Sequence, residues 1–220
     1  MKTPKNIAFF GGTGGLGKKV STILKTKYNV KDVGSKLVNL QGEHDIGNFF
    51  HSYPDIDTVI IFSNYNHNSF LHKYTDDDLD NELRKQIDIN ITGVTRLIAA
   101  ALRKFRKQEF GRIIIASSVL ASDPRQGTSI YSGAKAYYEN LVKTICKENA
   151  WKGVTANCIH MGYMDGGLTY EIPTSLRDLI IADVPAKRMG TPEEIYNTID
   201  FILNTEYING TSINLSGGLL

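Results

Sequence analysis

The stretch "KNIAFFGGTGGLGKKV", residues 5–20, decides the fold of this chain. A short apolar run at residues 7–10 leads into a cluster of glycines, and apolar residues then return with helical spacing from Leu16 to Leu24. This pattern predicts a buried strand, a tight turn and a helix. Glycine allows a backbone to turn tightly or to approach a ligand closely, and the N–H groups at a helix start can receive a phosphate.

The rest of the chain repeats this alternation of strand and helix. We predict further strands at residues 29–35, 36–40, 57–64, 111–118, 153–159 and 211–216. We predict further helices at residues 44–53, 75–107, 131–150 and 191–203, the last with Thr191 as N-cap. Strands that are apolar on both faces are typical of a parallel sheet covered by helices on both sides. The prediction is therefore a doubly wound α/β fold in one domain, residues 1–220, with dinucleotide binding at the first glycine turn.

Composition and charge argue against several kinds of partner. The 220 residues are 41% hydrophobic and 22% charged, and the net charge is only +2, so neither nucleic acid nor an acidic membrane is expected to bind. No apolar stretch is long enough for a signal peptide or a membrane span. Cys146 and Cys158 show no metal or redox spacing. We therefore expect free thiols, no metal site and a cytoplasmic location.

A second candidate functional motif, after the glycine turn, lies at residues 131–135, "YSGAK". With 11 tyrosines in the chain, about one Tyr-x-x-x-Lys match is expected by chance, so the motif depends on its context. On a helix, Tyr131 and Lys135 project from one face. The Lys135 ammonium is then expected to lower the phenol pKa from its usual value by roughly 1 to 3 units. Ser118, at the end of a predicted strand, could donate a hydrogen bond to the same substrate oxygen.

In their order and spacing, these motifs resemble those of the short-chain dehydrogenase/reductase family. The resemblance covers essentially the whole chain and is carried by Gly11, Gly15 and Gly17, "INITG" with Asn90, "SSV" with Ser118, "YSGAK", and "INGTSINLSGG" at the end. The compact members, such as the β-oxoacyl carrier-protein reductases, are the most similar. The resemblance implies a Rossmann fold and hydride transfer between a nicotinamide and a carbonyl or secondary alcohol. It also implies a homodimer or homotetramer.

The same resemblance assigns roles to individual residues. It implies a catalytic set of Asn90, Ser118, Tyr131 and Lys135, in which Lys135 also holds the nicotinamide ribose and Asn90 supports a water that relays protons to Lys135. Together with the glycine turn, it predicts cofactor contacts at Gly11, Thr13, Gly15, Leu16, Gly17, Ser35, Lys36, Asn39, Leu40, Ser63, Asn64, Tyr131, Lys135, Gly162 and Met164. Tyr137 and Tyr138 are expected to be core or subunit-interface aromatics, because neither has a lysine one turn on.

The end of the second strand indicates which nicotinamide cofactor is used. If that strand ends at Ser35 and Lys36, the small polar and basic side chains admit a 2′-phosphate and favour NADP(H). If it ends at Asp32, the carboxylate would favour NAD instead. We predict NADP(H).

Some segments depart from the family pattern, and alternatives remain open. "IFSN" at residues 61–64 replaces Asn-Asn-Ala-Gly, Met161 replaces a proline, and Gly166 replaces a threonine. A non-catalytic NAD(P)-binding regulator or scaffold is one alternative. A sugar-nucleotide epimerase or reductase is another, because Gly11, Gly14 and Gly17 also fit the glycine spacing of longer members. A short substrate lid is expected at about residues 163–183.

Overall fold

The computed structural model describes residues 3–42 and 45–220, so the predicted helix start at residue 44 lies outside the described residues. The described chain contains β1 Asn6–Phe10, β2 Asn29–Val33, β3 Thr58–Ile61, β4 Gly111–Ser118, β5 Val154–Met161 and β6 Ser212–Leu215. All neighbouring strands pair in parallel, in the order β2-β1-β3-β4-β5-β6. The predicted doubly wound α/β fold is confirmed.

Six helices accompany the strands in the described ranges. They are α1 Gly15–Leu24, α2 Asp45–Ser52, α3 residues 76–108, α4 Ser129–Asn149, α5 Thr174–Asp183 and α6 Pro192–Asn204. The long helix α3 consists of Asp76–Asp78, Arg84–Ile87 and Val94–Gln108, joined by wide π-helical turns at Leu79–Leu83 and Asp88–Gly93. π-Helical turns are rare and are often found near functional sites, and α3 contains two of them.

The helices cover both faces of the sheet with separate apolar clusters. On one face, residues of α2, α3 and α4 pack together, including Phe49, Leu97 and Val142. On the other face, α1 and α6 pack through residues such as Val20 and Ile199. The inner strands β3 and β4 are buried along their whole length, while the edge strands β2 and β6 are only partly buried. Parallel strands covered on both faces must be apolar on both faces, and this is the pattern that revealed the fold.

The prediction of a strand at residues 36–40 is wrong. This segment is a turn followed by irregular chain, although Val38 and Leu40 are buried in the cluster under α2 and α3. The side chain of Asn39 between them is exposed and accepts a hydrogen bond from Gln41 N. Buried and exposed residues therefore alternate here as they do in a strand, but no neighbouring strand pairs with the segment.

Two helix starts follow the sequence signals closely. Thr191 Oγ1 accepts from Glu194 N at 3.2 Å, and the Glu194 carboxylate accepts from Thr191 N at 2.8 Å. Thr75 and Asp78 form the same reciprocal pair at the start of α3. Each pair satisfies backbone donors that have no partner inside the helix. The predicted N-cap at Thr191 is confirmed, and the acidic run at 76–78 caps α3.

Candidate active site

The glycine turn between β1 and α1 depends on Gly11 and Gly17. Gly11 has a φ of +91°, and its N–H donates to Val33 O at 2.9 Å. A Cβ added at Gly17 would lie 2.1 Å from Gly11 O, which is an impossible contact with backbone. Both residues must therefore be glycine for the turn to close.

Gly14 and Gly15 carry no such constraint. A Cβ on Gly14 would come no closer than 3.5 Å to other atoms, and one on Gly15 no closer than 3.6 Å. Gly14 occupies the N-cap of α1 without a capping side chain, so the first N–H groups of the helix point to the turn without a side-chain acceptor. Such an N-terminus suits a phosphate group. The geometry supports the predicted phosphate site but does not choose between the two glycine spacings.

The structure shows where β2 ends and which groups contact the Asp32 carboxylate. β2 ends at Val33, and the Asp32 carboxylate is bound by Ser21 Oγ of α1 and by Lys25 Nζ just after that helix. The carboxylate also lies against the glycine turn, since a Cβ on Gly12 would be 2.4 Å from Asp32 Oδ1. Ser35 and Lys36 follow the strand end and are both exposed.

Thr13 joins the first glycine turn to the end of β2. Its Oγ1 would lie 2.4 Å from a Cβ on Gly34, so its side chain rests directly on that glycine. The two loops therefore lie side by side at the carboxyl edge of the sheet, where ligands of open α/β sheets bind.

Tyr131, Lys135 and Ser118 come together where β4 meets α4. Ser118 is the last residue of β4, and Tyr131 lies in the first turn of α4 with a hydrogen bond between the two side chains. Lys135 Nζ donates to Ala116 O at 3.0 Å and lies 5.3 Å from the centre of the Tyr131 ring. The predicted phenol and amine therefore lie on one buried face, as the helical spacing indicated.

The expected lowering of the Tyr131 pKa is wrong for this structure. Burial raises the pKa of Tyr131 to about 12, and the hydrogen bond with Ser118 only partly opposes that rise. Burial also lowers the pKa of Lys135 to about 8. Desolvation disfavours the charged form of each group and is the largest cause of both shifts. Tyr131 is therefore a neutral phenol at neutral pH, which makes it a proton donor.

Asn90 does not contact Lys135 in the described structure. Its side chain accepts from Tyr65 N at 2.9 Å and donates to Tyr65 O at 2.7 Å, which holds the loop after β3. Its carbonyl oxygen accepts a hydrogen bond from the Tyr138 hydroxyl at 2.6 Å. Tyr138 therefore lies between Asn90 and Lys135, and the water-mediated link from Asn90 to Lys135 stays a prediction. Tyr138 was predicted to be a core or interface aromatic, and it is buried in the core. Its contact with Lys135 was not predicted, although its position three residues after Lys135 on the same helical face was a usable signal.

Two residues predicted to contact the cofactor have side chains that pack in the core. The Met164 side chain is 3% exposed, belongs to the apolar cluster beneath α1 and α6, and lies against Gly190. The Leu40 side chain is 6% exposed and packs in the opposite cluster. Only the backbone of these two residues is left for a ligand. Both are apolar residues beside a ligand cleft, where sequence alone does not distinguish core from lining.

The remaining predicted contacts lie near strand ends. Ser63 N donates to Phe10 O at 3.1 Å, which places the loop after β3 beside the glycine turn. Asn64 Oδ1 is buried and has no hydrogen-bond partner among the described residues. Gly162 follows β5, and a Cβ there would approach Ser216 Cα to 3.0 Å, so close packing with the chain after β6 favours glycine. Asn64 is the position at which an added ligand donor would satisfy a buried acceptor.

The segment after β5 rests on the glycine turn. A Cβ on Gly167 would lie 3.2 Å from Leu16 Cβ. Lys19 Nζ donates to Asp165 O at 3.0 Å, and the Tyr170 hydroxyl donates to the Asp165 carboxylate. This contact could not be predicted, because Lys19 and Asp165 are distant in the chain and each resembles an ordinary surface charge.

A cavity of about 710 Å³ lies elsewhere. It is lined by Phe70, Leu71, Arg125 and one face of α4 that includes Ser129 and Gly133. That face is opposite Tyr131 and Lys135, because residues two positions apart on a helix point in nearly opposite directions. This cavity, despite its size, is therefore not the site formed by Tyr131 and Lys135. The described residues also contain no cluster of three or more metal-ligating side chains and no helix long and apolar enough to span a membrane.

Comparison with known proteins agrees with this geometry. Residues 43–220 match the family model described as Enoyl-(Acyl carrier protein) reductase. The chain is 28% identical to the 3-oxoacyl-acyl-carrier-protein reductase FabG of Salmonella typhimurium over 220 residues, which cover 98% of this chain and 82% of the relative. It is 26% identical to the FabG of Rickettsia felis over 92% of this chain and 81% of the relative.

Solved structures share the fold over nearly the whole length. A short chain dehydrogenase/reductase family protein superimposes with a TM-score of 0.83 at 21% identity, covering 99% of this chain and 98% of the other. A Tyr-to-Phe variant of ElxO with NADPH bound superimposes with a TM-score of 0.85 at 20% identity, covering 98% of each chain. The family match spans most of the chain, so this protein belongs to the short-chain dehydrogenase/reductase family and is an oxidoreductase that interconverts CH–OH and C=O groups with NAD(P).

Proposed function

We propose that the protein is an NADPH-dependent reductase of ketone carbonyls and that 3-oxoacyl thioesters are its substrate class. The observation that carries the proposal is the neutral phenol of Tyr131, hydrogen-bonded to Ser118 at the carboxyl edge of the sheet with Lys135 beside it. The FabG relatives support the substrate class, since the chain covers more than four fifths of their length.

The residues at the carboxyl edge fit a nicotinamide dinucleotide. Gly15 lies at an uncapped helix start, where a Cβ would come no closer than 3.6 Å to the Gly167 backbone, and Asn64 offers a buried acceptor without a partner among the described residues. Gly11, Gly15 and Gly17 would hold the pyrophosphate, and Lys135 would hold the nicotinamide ribose. When bound, NADPH supplies the hydride that reduces the carbonyl carbon.

The chain's own groups act on the carbonyl oxygen. As negative charge develops there, Tyr131 donates its proton and Ser118 donates a hydrogen bond. A positioned proton donor contributes about 10²–10⁴-fold in rate. The Lys135 ammonium, near the Tyr131 ring, stabilises the phenolate that remains after proton transfer. Because the phenol begins protonated, it can supply the proton that carbonyl reduction requires.

Purified protein with NADPH and a panel of small ketones and 3-oxoacyl thioesters tests this function. We expect loss of NADPH absorbance with the thioesters and little with unrelated ketones. Tight NADPH binding without turnover on any carbonyl would overturn the reductase and favour the regulatory alternative.

The exposed pair Ser35 and Lys36 supports NADP(H) over NAD(H). The 2′-phosphate of NADPH is a dianion that suits a basic side chain, whereas the Asp32 carboxylate is already bound by Ser21 and Lys25. We expect Lys36→Ala to weaken NADPH binding by about 10- to 100-fold, because a charge-assisted hydrogen bond contributes about 1.5–3 kcal/mol, and to leave NADH binding unchanged.

Fluorescence titration with each dinucleotide measures the effect of Lys36→Ala. The matched control is Lys31→Ala, which removes a β2 lysine whose amine lies over the Tyr53 ring, 4.8 Å from its centre. Equal loss of affinity for both dinucleotides, or for neither, would contradict the role given to Lys36.

The low pKa of Lys135 predicts a pH dependence. The ammonium is the useful form, and it is lost as pH rises through about 8, while Tyr131 keeps its proton. We expect kcat/KM for carbonyl reduction to be level below about pH 7 and to fall with a midpoint near 8. Initial rates from pH 6 to 10 measure it. Lys135→Arg keeps its charge throughout that range and should lose the decline, and a parent profile level to pH 10 would contradict the assignment.

Further features of the chain belong to the same proposal. We infer that residues 163–183 act as a substrate lid within one domain, since this segment lies on the glycine turn through Gly167 and Leu16. The free thiols of Cys146 and Cys158 support a cytoplasmic protein. A homodimer or homotetramer is proposed by resemblance to the family, and light scattering tests it.

A further inference from the structure

The buried amine of Lys135 has unusual surroundings. Lys135 is 3% exposed and donates one hydrogen bond, to Ala116 O on β4. Two aromatic rings of its own helix flank the amine, with ring centres 5.3 Å away at Tyr131 and 5.0 Å away at Tyr138. A cation over an aromatic face at this distance is attracted by the negative charge of the face, and the attraction is stronger when water is excluded.

No anionic group in the described structure balances this charge. From β5, the nearest titratable neighbour is Cys158, whose buried thiol has its pKa raised to about 12 and therefore stays neutral. Glu139, one turn further along α4, lies 3.1 Å from His160 Nε2 instead. β4 presents the neutral carbonyl of Ala116, and α3 presents the carbonyl of Asn90, which Tyr138 occupies. The charged form of Lys135 thus depends on one carbonyl and two rings.

Tyr138 is held in place independently of Lys135. It is 1% exposed, and its hydroxyl donates to Asn90 O at 2.6 Å, within the π-helical turn Asp88–Gly93 of α3. One end of the side chain is therefore fixed to α3 while the ring face is presented to the amine. Tyr131 cannot provide the same fixed support, because its hydroxyl is the group proposed to react.

We propose that Tyr138 is a positioning residue whose ring keeps Lys135 charged and directed at Tyr131. This inference rests on the proposed reductase function, and it adds a residue that the motif does not contain. Because burial lowers the pKa of Lys135 to about 8, the amine is only about nine-tenths charged at pH 7. Loss of the ring should lower that pKa by about one further unit and leave about half of the amines charged at pH 7.

The experiment measures the titration of Lys135 directly. The ¹³Cε resonance of isotope-labelled lysine, assigned by its absence in Lys135→Met, is followed from pH 5 to 11 in the cofactor-free protein. We expect a midpoint near 8 in the parent and near 7 in Tyr138→Leu. Tyr138→Phe keeps the ring and loses only the hydrogen bond to Asn90, so its midpoint should stay near 8 although its melting temperature falls.

Matched variants separate positioning from packing. Tyr137→Leu makes the same change at the preceding residue, whose hydroxyl contacts Thr95 Oγ1 at 2.8 Å, and it should not move the Lys135 midpoint. If Tyr138→Leu does not fold, Tyr138→Met fills the space with an adaptable side chain that has no aromatic face. The proposal is overturned if the Lys135 midpoint of the folded variant without the ring lies within roughly 0.3 pH units of the parent's, which is about the precision of the measurement.

The activity profile gives an independent readout. The alkaline decline of kcat/KM should move about one pH unit lower in the ring-less variant and stay in place in Tyr138→Phe. A lower rate with an unmoved decline would show a purely structural role and overturn the inference. Should the parent fail to reduce any carbonyl, the reductase proposal fails, whereas the Lys135 titration still decides the role of Tyr138.

Discussion

Tyr131→Phe should reduce carbonyl reduction by about 10²–10⁴-fold, the contribution of a positioned proton donor. The variant lacks only the hydroxyl that is bonded to Ser118, and the buried ring remains in place against Lys135. Nothing in the glycine turn changes, so NADPH should bind with the parent's affinity. The effect should therefore appear in kcat and leave the cofactor dissociation constant unaltered.

Stopped-flow absorbance of NADPH and fluorescence titration together measure this result. The control is Tyr137→Phe, which removes a hydroxyl from the same helix, where it contacts Thr95 rather than the crevice. We expect that control to react at close to the parent's rate. Turnover by Tyr131→Phe at the rate of the parent would show that another group protonates the substrate oxygen.

Gly17→Ala should destabilise the protein by about 3 kcal/mol or more, a large fraction of the 5–15 kcal/mol that ordinarily separates folded from unfolded chains. The new Cβ would lie 2.1 Å from Gly11 O, and no flexible side chain is available there to move aside. Either β1 or α1 must shift. Because β1 is buried within the sheet and α1 packs against one face of it, that shift is costly.

Gly15→Ala is the informative companion to Gly17→Ala. Its Cβ meets nothing closer than 3.6 Å, so the free energy of unfolding should stay within about 0.5 kcal/mol of the parent. Its methyl group instead lies beside the first N–H groups of α1, where the phosphate is proposed to bind, and NADPH affinity should fall at least about tenfold. Urea unfolding and fluorescence titration measure both variants. Equal stabilities for the two would refute the assigned backbone contact, and unchanged NADPH affinity in Gly15→Ala would refute the phosphate site.

Much of the fold could be predicted because its signals are local. The glycine turn, the apolar strands and the Thr191 cap each lie within a few neighbouring residues, and all pointed to one arrangement. The segment at residues 36–40 was misread because burial of Val38 and Leu40 in a loop imitates the alternation of a strand. No property of those five residues tells whether a neighbouring strand pairs with them.

The site was predictable in its chemical groups but not in its electrostatics. Helical spacing placed Tyr131 beside Lys135 correctly. It did not show that both would be buried, and burial reverses the expected pKa change of Tyr131. The roles of Asn90 and Tyr138 depend on contact between α3 and α4, which are distant in sequence. The position of Met164 close after Gly162 likewise did not show that its side chain would pack in the core.

The number of residues in the wide π-helical turn Asp88–Gly93 of α3 determines which way Asn90 faces. Successive residues of an α-helix are rotated by about 100°, so removing one residue from this turn would swing everything before it by that angle relative to Val94–Gln108. Asn90 would then face away from Tyr65 or from Tyr138, and could not serve both. A deletion within Asp88–Gly93 would therefore separate the two contacts of Asn90 even if the rest of α3 stayed helical.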